Sequence, residues 1–236
     1  MKLKSIFLKP GHPDFLDLPW GCSLGGWRDC CGRWVDLPHG VSRHPVVFVN
    51  YDGGLYALKE MPGDLAEREY RLLCGLEELK LPVVHAVGHA VVGGDEDESR
   101  EDGSVLITRY LDHSMPYLSL FTRGSMSGYQ EHLLDAMAGL LVQLHLAGVF
   151  WGDCSLSNTL FRRDAGALQA YLVDAETAEI RPGLSDGMRE HDLEIMLENV
   201  TGGLADLVAG GILHGDFPVY RMGESIRERY LGLWKE

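Results

Sequence analysis

The sequence predicts an α+β chain in two parts, a five-stranded antiparallel sheet carrying one helix, then a short, mainly helical region. Three observations predict it. Runs of β-branched and aromatic residues bounded by turn residues crowd positions 36–112. A 3.6-residue apolar period takes over beyond Leu111. The length, 236 residues, suits one bilobal domain or two small ones. The division that follows is 1–35, an irregular extension; 36–112, the sheet and its helix; and 113–236, the helical part.

Residues 1–35 are rich in Pro, Gly and Trp and show no period. Trp20, Trp27 and Trp34 are expected to pack them onto the body, with substrate docking as the alternative role. Arg33–Leu37 reads as a first strand and Pro45–Asn50 as a second. Asp52-Gly53-Gly54 supplies a hairpin turn, and Leu55–Met61 returns. A helix follows over Gly63–Leu79. Pro82–Val92 is a strand pair or one long bent strand. Gly93–Ser104 carries six acids and one Arg and reads as a solvated loop. Val105–Tyr110 completes the sheet. Beyond it, Leu133, Met137, Leu140, Leu141 and Leu144 make one stripe of a helix over Tyr129–Ala147. Thr159–Arg162 and Gln169–Asp174 form a short hairpin, and Asp186–Val200 is another helix.

Thirty-five acids against 21 Lys and Arg give a net charge of −14. That balance argues against nucleic acid as the main partner, because phosphate binding wants a basic surface. Five cysteines, with one adjacent pair and no C-x-x-C, fit a reducing cytosol better than a disulfide framework. Cys22, Cys30, Cys31 and His39 match no common zinc spacing. The apolar part of Met1–Lys9 is too short for a signal peptide. The longest apolar stretch, Ala136–Trp151, falls short of the ~20 residues that span a bilayer. The expected location is cytoplasmic.

Within this frame a few polar residues stand out. Strand alternation puts Leu55, Ala57 and Lys59 on one face. In the following helix Leu65, Leu72, Leu73 and Leu76 cluster, and Glu69 falls in the middle of that apolar face while Glu67 points away. An inward carboxylate needs a cation, and the preceding strand offers Lys59. Asp153 and Asn158 follow the long apolar helix through a Gly-containing turn, and the hairpin after them ends in Asp174. A carboxylate placed there can receive a hydroxyl proton. Asn and Asp side chains are hard oxygen donors suited to magnesium. Asp192 shares a helix face with Met188, Ile195 and Met196, so it too is expected to point inward. His214-Gly215-Asp216 lacks the following Asn and reads as a surface loop.

In order, Lys59, Glu69, Asp153, Asn158 and Asp174 resemble the core positions of the protein-kinase-like superfamily over residues 36–200. Glu69-Tyr70-x-x-Leu73 and Asp153-Cys154-Ser155-x-x-Asn158 look most like RIO-type and other small atypical kinases. Asp174-Ala175-Glu176 is similar to the Asp-x-Glu of choline and aminoglycoside kinases. The whole chain, Pro13–Trp20 included, resembles a bacterial kinase-like family of unknown function grouped with lipopolysaccharide kinases. The resemblance implies a sheet-bearing N-lobe and a short helical C-lobe. It implies ATP and Mg2+ as cofactors and a hydroxyl-bearing acceptor. Lys59, paired with Glu69, would contact the ATP phosphates, Asp153 would act on the acceptor hydroxyl, and Asn158 and Asp174 would hold the metal. Asp192 would hold the backbone amides of the catalytic loop. Kinases cover the phosphates with a Gly-rich turn. Here Gly40, with Ser42, Arg43 and His44 as further donors, is the candidate for that work.

Three departures shape the expectation. The kinase His-Arg-Asp is Trp151-Gly152-Asp153, and Asp-Phe-Gly is absent. The segment from Asp174 to the helix near Asp186 leaves no room for a long regulated activation loop. The expected activity is transfer of the γ-phosphate of ATP to a hydroxyl of a protein, a small metabolite or a glycan. The alternatives are a nucleotide-binding pseudokinase or scaffold, and an enzyme of the same fold that passes on AMP.

Overall fold

The computed structural model of the protein describes residues 2–37, 43–93, 102–122 and 126–236. The chain divides into two compact units, Met1–Glu77 with Val84–Asp112, and Glu78–Val83 with His113–Glu236.

The first unit runs β1 (Lys2–Leu8), a 3-10 turn (Leu24–Gly26), α1 (Trp27–Cys30), β2 (Trp34–Val35), β3 (Val46–Tyr51), β4 (Gly54–Pro62), α2 (Leu65–Glu78), β5 (Ala86–Gly93) and β6 (Gly103–Arg109). The strands form one sheet in the order β1-β5-β6-β4-β3-β2, antiparallel at every pairing. Asp52 and Gly53 both take positive φ between Tyr51 and Gly54, the two-residue turn whose twist matches the flanking strands. Pro82–Val92 resolves into the single strand β5, with a register shift between Ala86 and Gly88. The acidic loop predicted over Gly93–Ser104 falls largely at 94–101, outside the described residues.

The sheet has six strands where the sequence predicts five, and the addition is β1, from the segment predicted to be irregular. Its sequence signal is weak for a physical reason. β1 lies at the sheet edge, and its register shifts between Leu3 and Ser5. Lys2 and Lys4 face outward, as charges on edge strands commonly do, and the extra residue at the shift breaks the alternation. The rest of the segment is a second layer. Phe15, Leu18, Trp20, Leu24 and Trp27 are buried against Val47, Val49, Tyr56, Leu58, Val105 and Ile107 of the sheet. The indole N–H of Trp20 donates to Phe15 O at 2.8 Å, and that of Trp27 to Cys22 O at 3.2 Å. Both rings are thus buried without an orphaned donor. Trp34 packs at the margin of the cluster.

The second unit runs β7 (Met115–Pro116), α3 (Tyr117–Thr122), α4 (Met126–Leu146), β8 (Val149–Phe150), β9 (Thr159–Asp164), β10 (Ala167–Leu172), β11 (Glu179–Ile180), α5 (Asp186–Ala209) and α6 (Val219–Lys235). The apolar stripe of α4 is buried from Leu133 to Leu144, and the helix packs on α6 and β10. Ser185 caps α5 by accepting the N–H of Met188 at 3.3 Å. The helix continues past Val200, its predicted end, through Gly202 and Gly203. Each glycine costs a helix about 1 kcal/mol, but buried Leu204 and Leu207 extend the stripe of Leu193, Met196 and Val200. Among the described residues no helix is long and apolar enough to cross a membrane.

Candidate active site

In the first unit the site is built on β4 and α2. Tyr56 and Leu58 are buried under the N-terminal layer, so alternation turns Leu55, Ala57 and Lys59 to the opposite face. Lys59 stands across from Val46 of β3 and Leu106 of β6. The period of α2 turns Glu69 inward with Ala66, Tyr70, Leu73 and Leu76, leaving it 1% exposed. Lys59 Nζ donates to Glu69 Oε2 at 3.1 Å. Glu67 instead points out and pairs with Arg71 one turn on. Glu77 is engaged by Lys9 and by the N–H of Ala86. Burial therefore selects the carboxylate that meets Lys59. Its desolvation, several kcal/mol for an isolated charge, is offset by the ammonium.

In the second unit the site is a loop between β8 and β9, gripped from α5. Asp192 is buried, and its carboxylate accepts the backbone N–H of Trp151 and of Gly152, each at 2.8 Å. It also accepts from His145 Nε2 at 3.0 Å and from the Cys154 thiol at 3.2 Å. Burial pushes the Asp192 carboxyl up, but His145, the two N–H groups and the thiol outweigh it and hold it below the ordinary carboxylate value. The same burial and the adjacent Asp192 push the Cys154 thiol well up, so it is a protonated donor. Gly152 sits at φ +76°, and a Cβ there would lie 3.0 Å from Thr177 O. That conformation and that crowding account for Gly where kinases carry Arg.

The Asp153 carboxylate leaves this clamped backbone. Its Oδ2 accepts from Asn158 Nδ2 at 2.9 Å, and its Oδ1 from Asn199 Nδ2 at 2.9 Å. Asn158 also donates to Asp153 O at 3.1 Å. The loop is closed by Ser155, whose Oγ accepts the N–H of Asn158 at 3.2 Å. Asn158 O in turn accepts the N–H of Val173 at 3.1 Å, which brings the residue before Asp174 against the loop. The buried Trp151 indole donates to Asp174 O at 3.3 Å, and Thr177 Oγ1 to Trp151 O at 2.9 Å. Asp174 Oδ1 accepts the N–H of Glu176 at 3.2 Å. The Asn158 amide also carries a carbonyl oxygen, an acceptor only. With the Asp174 carboxylate it supplies the hard-oxygen donor chemistry that suits Mg2+.

Of the remaining sequence candidates, Gly40 and Ser42 lie outside the described residues. Arg43 is exposed and lines a surface depression of about 470 Å³ with Leu24, Arg28 and Trp34. His214 and Asp216 pair with each other at 2.5 Å with side chains 86% and 84% exposed, as a surface loop would. Sequence reasoning missed His145 and Asn199. Neither sits in a motif, and each meets its partner across more than forty positions.

A family model for "Lipopolysaccharide kinase (Kdo/WaaP) family" matches residues 54–209, well over half of the chain. The chain belongs to that family. It is a kinase, and phosphotransfer is its chemistry; the family implies use of ATP. The matched span contains Lys59, Glu69, Asp153, Asn158, Asp174 and Asp192 and begins after Arg43. Among solved structures, one described as WaaP in complex with acyl carrier protein is similar over 97% of this chain and 89% of that chain, with a TM-score of 0.58 at 18% identity. An aminoglycoside-3'-phosphotransferase of type VIII is similar over 86% of this chain and 87% of that chain, with a TM-score of 0.57 at 16% identity. Both share the protein-kinase-like fold. No curated protein matches the sequence.

Proposed function

We propose that the protein transfers the γ-phosphoryl group of ATP, with Mg2+, to a sugar hydroxyl of lipopolysaccharide. Asp153 takes the proton of that hydroxyl as its oxygen bonds to the γ-phosphorus. The bond from the γ-phosphorus to the bridging oxygen breaks, and ADP leaves. Lys59, oriented by Glu69, binds ATP phosphate oxygens as a point charge. Asn158 and Asp174 would hold Mg2+, which when bound neutralises phosphate charge. The chain's remaining contribution is positioning. Asp192 fixes the backbone from which Asp153 projects, and Asn158 fixes the carboxylate itself.

The observation that carries this reading is the double restraint of Asp153, by Asp192 on its backbone neighbours and by Asn158 on its side chain. A carboxylate held in one orientation is what proton acceptance in a transition state requires. The choice of acceptor rests on the family. In the test, purified protein is given ATP labelled at the γ-phosphate and separate acceptors: lipopolysaccharide core oligosaccharide, an aminoglycoside and a protein mixture. Label should enter the oligosaccharide and be lost in Asp153→Asn. Label entering only another acceptor overturns the substrate, and transfer of an α-phosphate label in place of the γ overturns the reaction.

A further inference from the structure

Helix α5 grips the loop in two places. Asp192 holds the main chain of Trp151 and Gly152. Asn199, seven residues on, donates from Nδ2 to Asp153 Oδ1 at 2.9 Å. Seven residues fall about 20° short of two helical turns and rise about 10 Å. One face of one helix therefore reaches both the backbone and the reacting side chain. Leu193, Met196 and Val200, buried between and beside these two residues, lock the helix in place.

The geometry points to Asn199 as a positioning residue that sets the orientation of the Asp153 carboxylate. The inference rests on the reading of Asp153 as proton acceptor given above. Asn158 restrains one carboxylate oxygen and Asn199 the other. Two fixed points, one per oxygen, stop rotation about the terminal torsion, which is otherwise broad. Both donors are neutral amides. Asn158 belongs to the same loop as Asp153 and is braced through its backbone by Ser155 and Val173. Asn199 reaches the same carboxylate from helix α5.

The test uses the full chain with ATP and Mg2+, water serving as acceptor and ADP release as readout. It is paired with calorimetric ATP binding and thermal melting, so that rate, nucleotide binding and folding are read separately. Asn199→Ala is expected to lower kcat by about tenfold, with KM for ATP and Tm nearly unchanged, because a misplaced catalytic group loses rate and not ground-state binding. Asn199→Asp keeps the shape and sets a second carboxylate against the first. With no amide N–H to give, it is expected to lower kcat by at least as much, again with KM for ATP nearly unchanged. The second variant decides the matter if the first fails to fold. Unchanged kcat in a variant that folds overturns the inference, and so does a loss that falls on KM for ATP in place of kcat. If Asp153→Asn has meanwhile abolished turnover, the reading of Asp153 stands and only the role of Asn199 falls. Full turnover in Asp153→Asn removes that reading and this inference together.

Discussion

His145 of α4 and Asp192 of α5 form a pair with no solvent exposure on either side chain, 3.0 Å from Nε2 to Oδ2. The other ring nitrogen of His145 lies 2.8 Å from the Tyr230 hydroxyl of α6. Three helices thus meet in one buried polar chain, and it ends on the backbone of Trp151 and Gly152. Networks of this kind stabilise when complete and are costly when one member is removed.

Asp192→Ala is therefore expected to destabilise the fold by about 3 kcal/mol or more at pH 7, since His145 and two backbone N–H groups lose their acceptor. The pH dependence has a definite sign. The Asp192 carboxyl titrates below its ordinary value. Its contribution is complete above the unfolded-state value of about 3.9 and is lost as pH falls through the lower folded-state value. Urea midpoints measured between pH 7 and pH 2.5 should fall more steeply in the wild type than in Asp192→Asn. Parallel curves would remove Asp192 as a source of acid sensitivity.

The N-terminal layer gives a second expectation. Trp27 is fully buried and belongs to the core cluster of the sheet. Trp27→Ala should cost about 3–5 kcal/mol, the usual penalty for emptying a buried aromatic site. Chemical denaturation checks this. A loss within about 0.5 kcal/mol, typical of surface changes, would mean that this layer is peripheral.

Which features were legible in the sequence follows from how local their causes are. The Lys59–Glu69 pair was readable because α2 has a clean period and only one carboxylate falls on its apolar face. The inward turn of Asp192 was readable for the same reason. Asp153, Asn158 and Asp174 were readable as a spacing set against a buried helix and a hairpin. β1 was hidden because an edge strand bearing lysines satisfies its pairing with little apolar alternation. The far end of α5 was hidden by Gly202 and Gly203, whose helix penalty is overridden by burial of Leu204 and Leu207. Asn199 left no trace, because a half-buried Asn on a helix is common and its partner lies 46 positions away.

On the proposed function, Lys59→Ala should lower ATP turnover by about 100-fold, the scale seen when one electrostatic contact to developing charge is removed. Glu69→Gln keeps the shape but weakens the hold on Lys59, so a smaller loss, about tenfold, is expected. Turnover and nucleotide affinity measured for both variants check the order. Equal activity in Lys59→Ala and the wild type would remove Lys59 from the ATP site.

Asp174→Asn isolates the metal. The amide oxygen can still accept the N–H of Glu176, and the Trp151 indole donates to the main-chain carbonyl of residue 174, which the substitution leaves in place. The fold should therefore survive, with Tm close to the wild-type value. What is lost is the negative charge, and a neutral oxygen is a much poorer partner for a small hard cation. Calorimetric titration of ATP with and without Mg2+ should show strong magnesium dependence in the wild type and a dependence weakened by about tenfold or more in the variant. The same dependence in both proteins would mean that the cation is held elsewhere. Asp174 would then be reduced to a brace between the hairpin and Trp151.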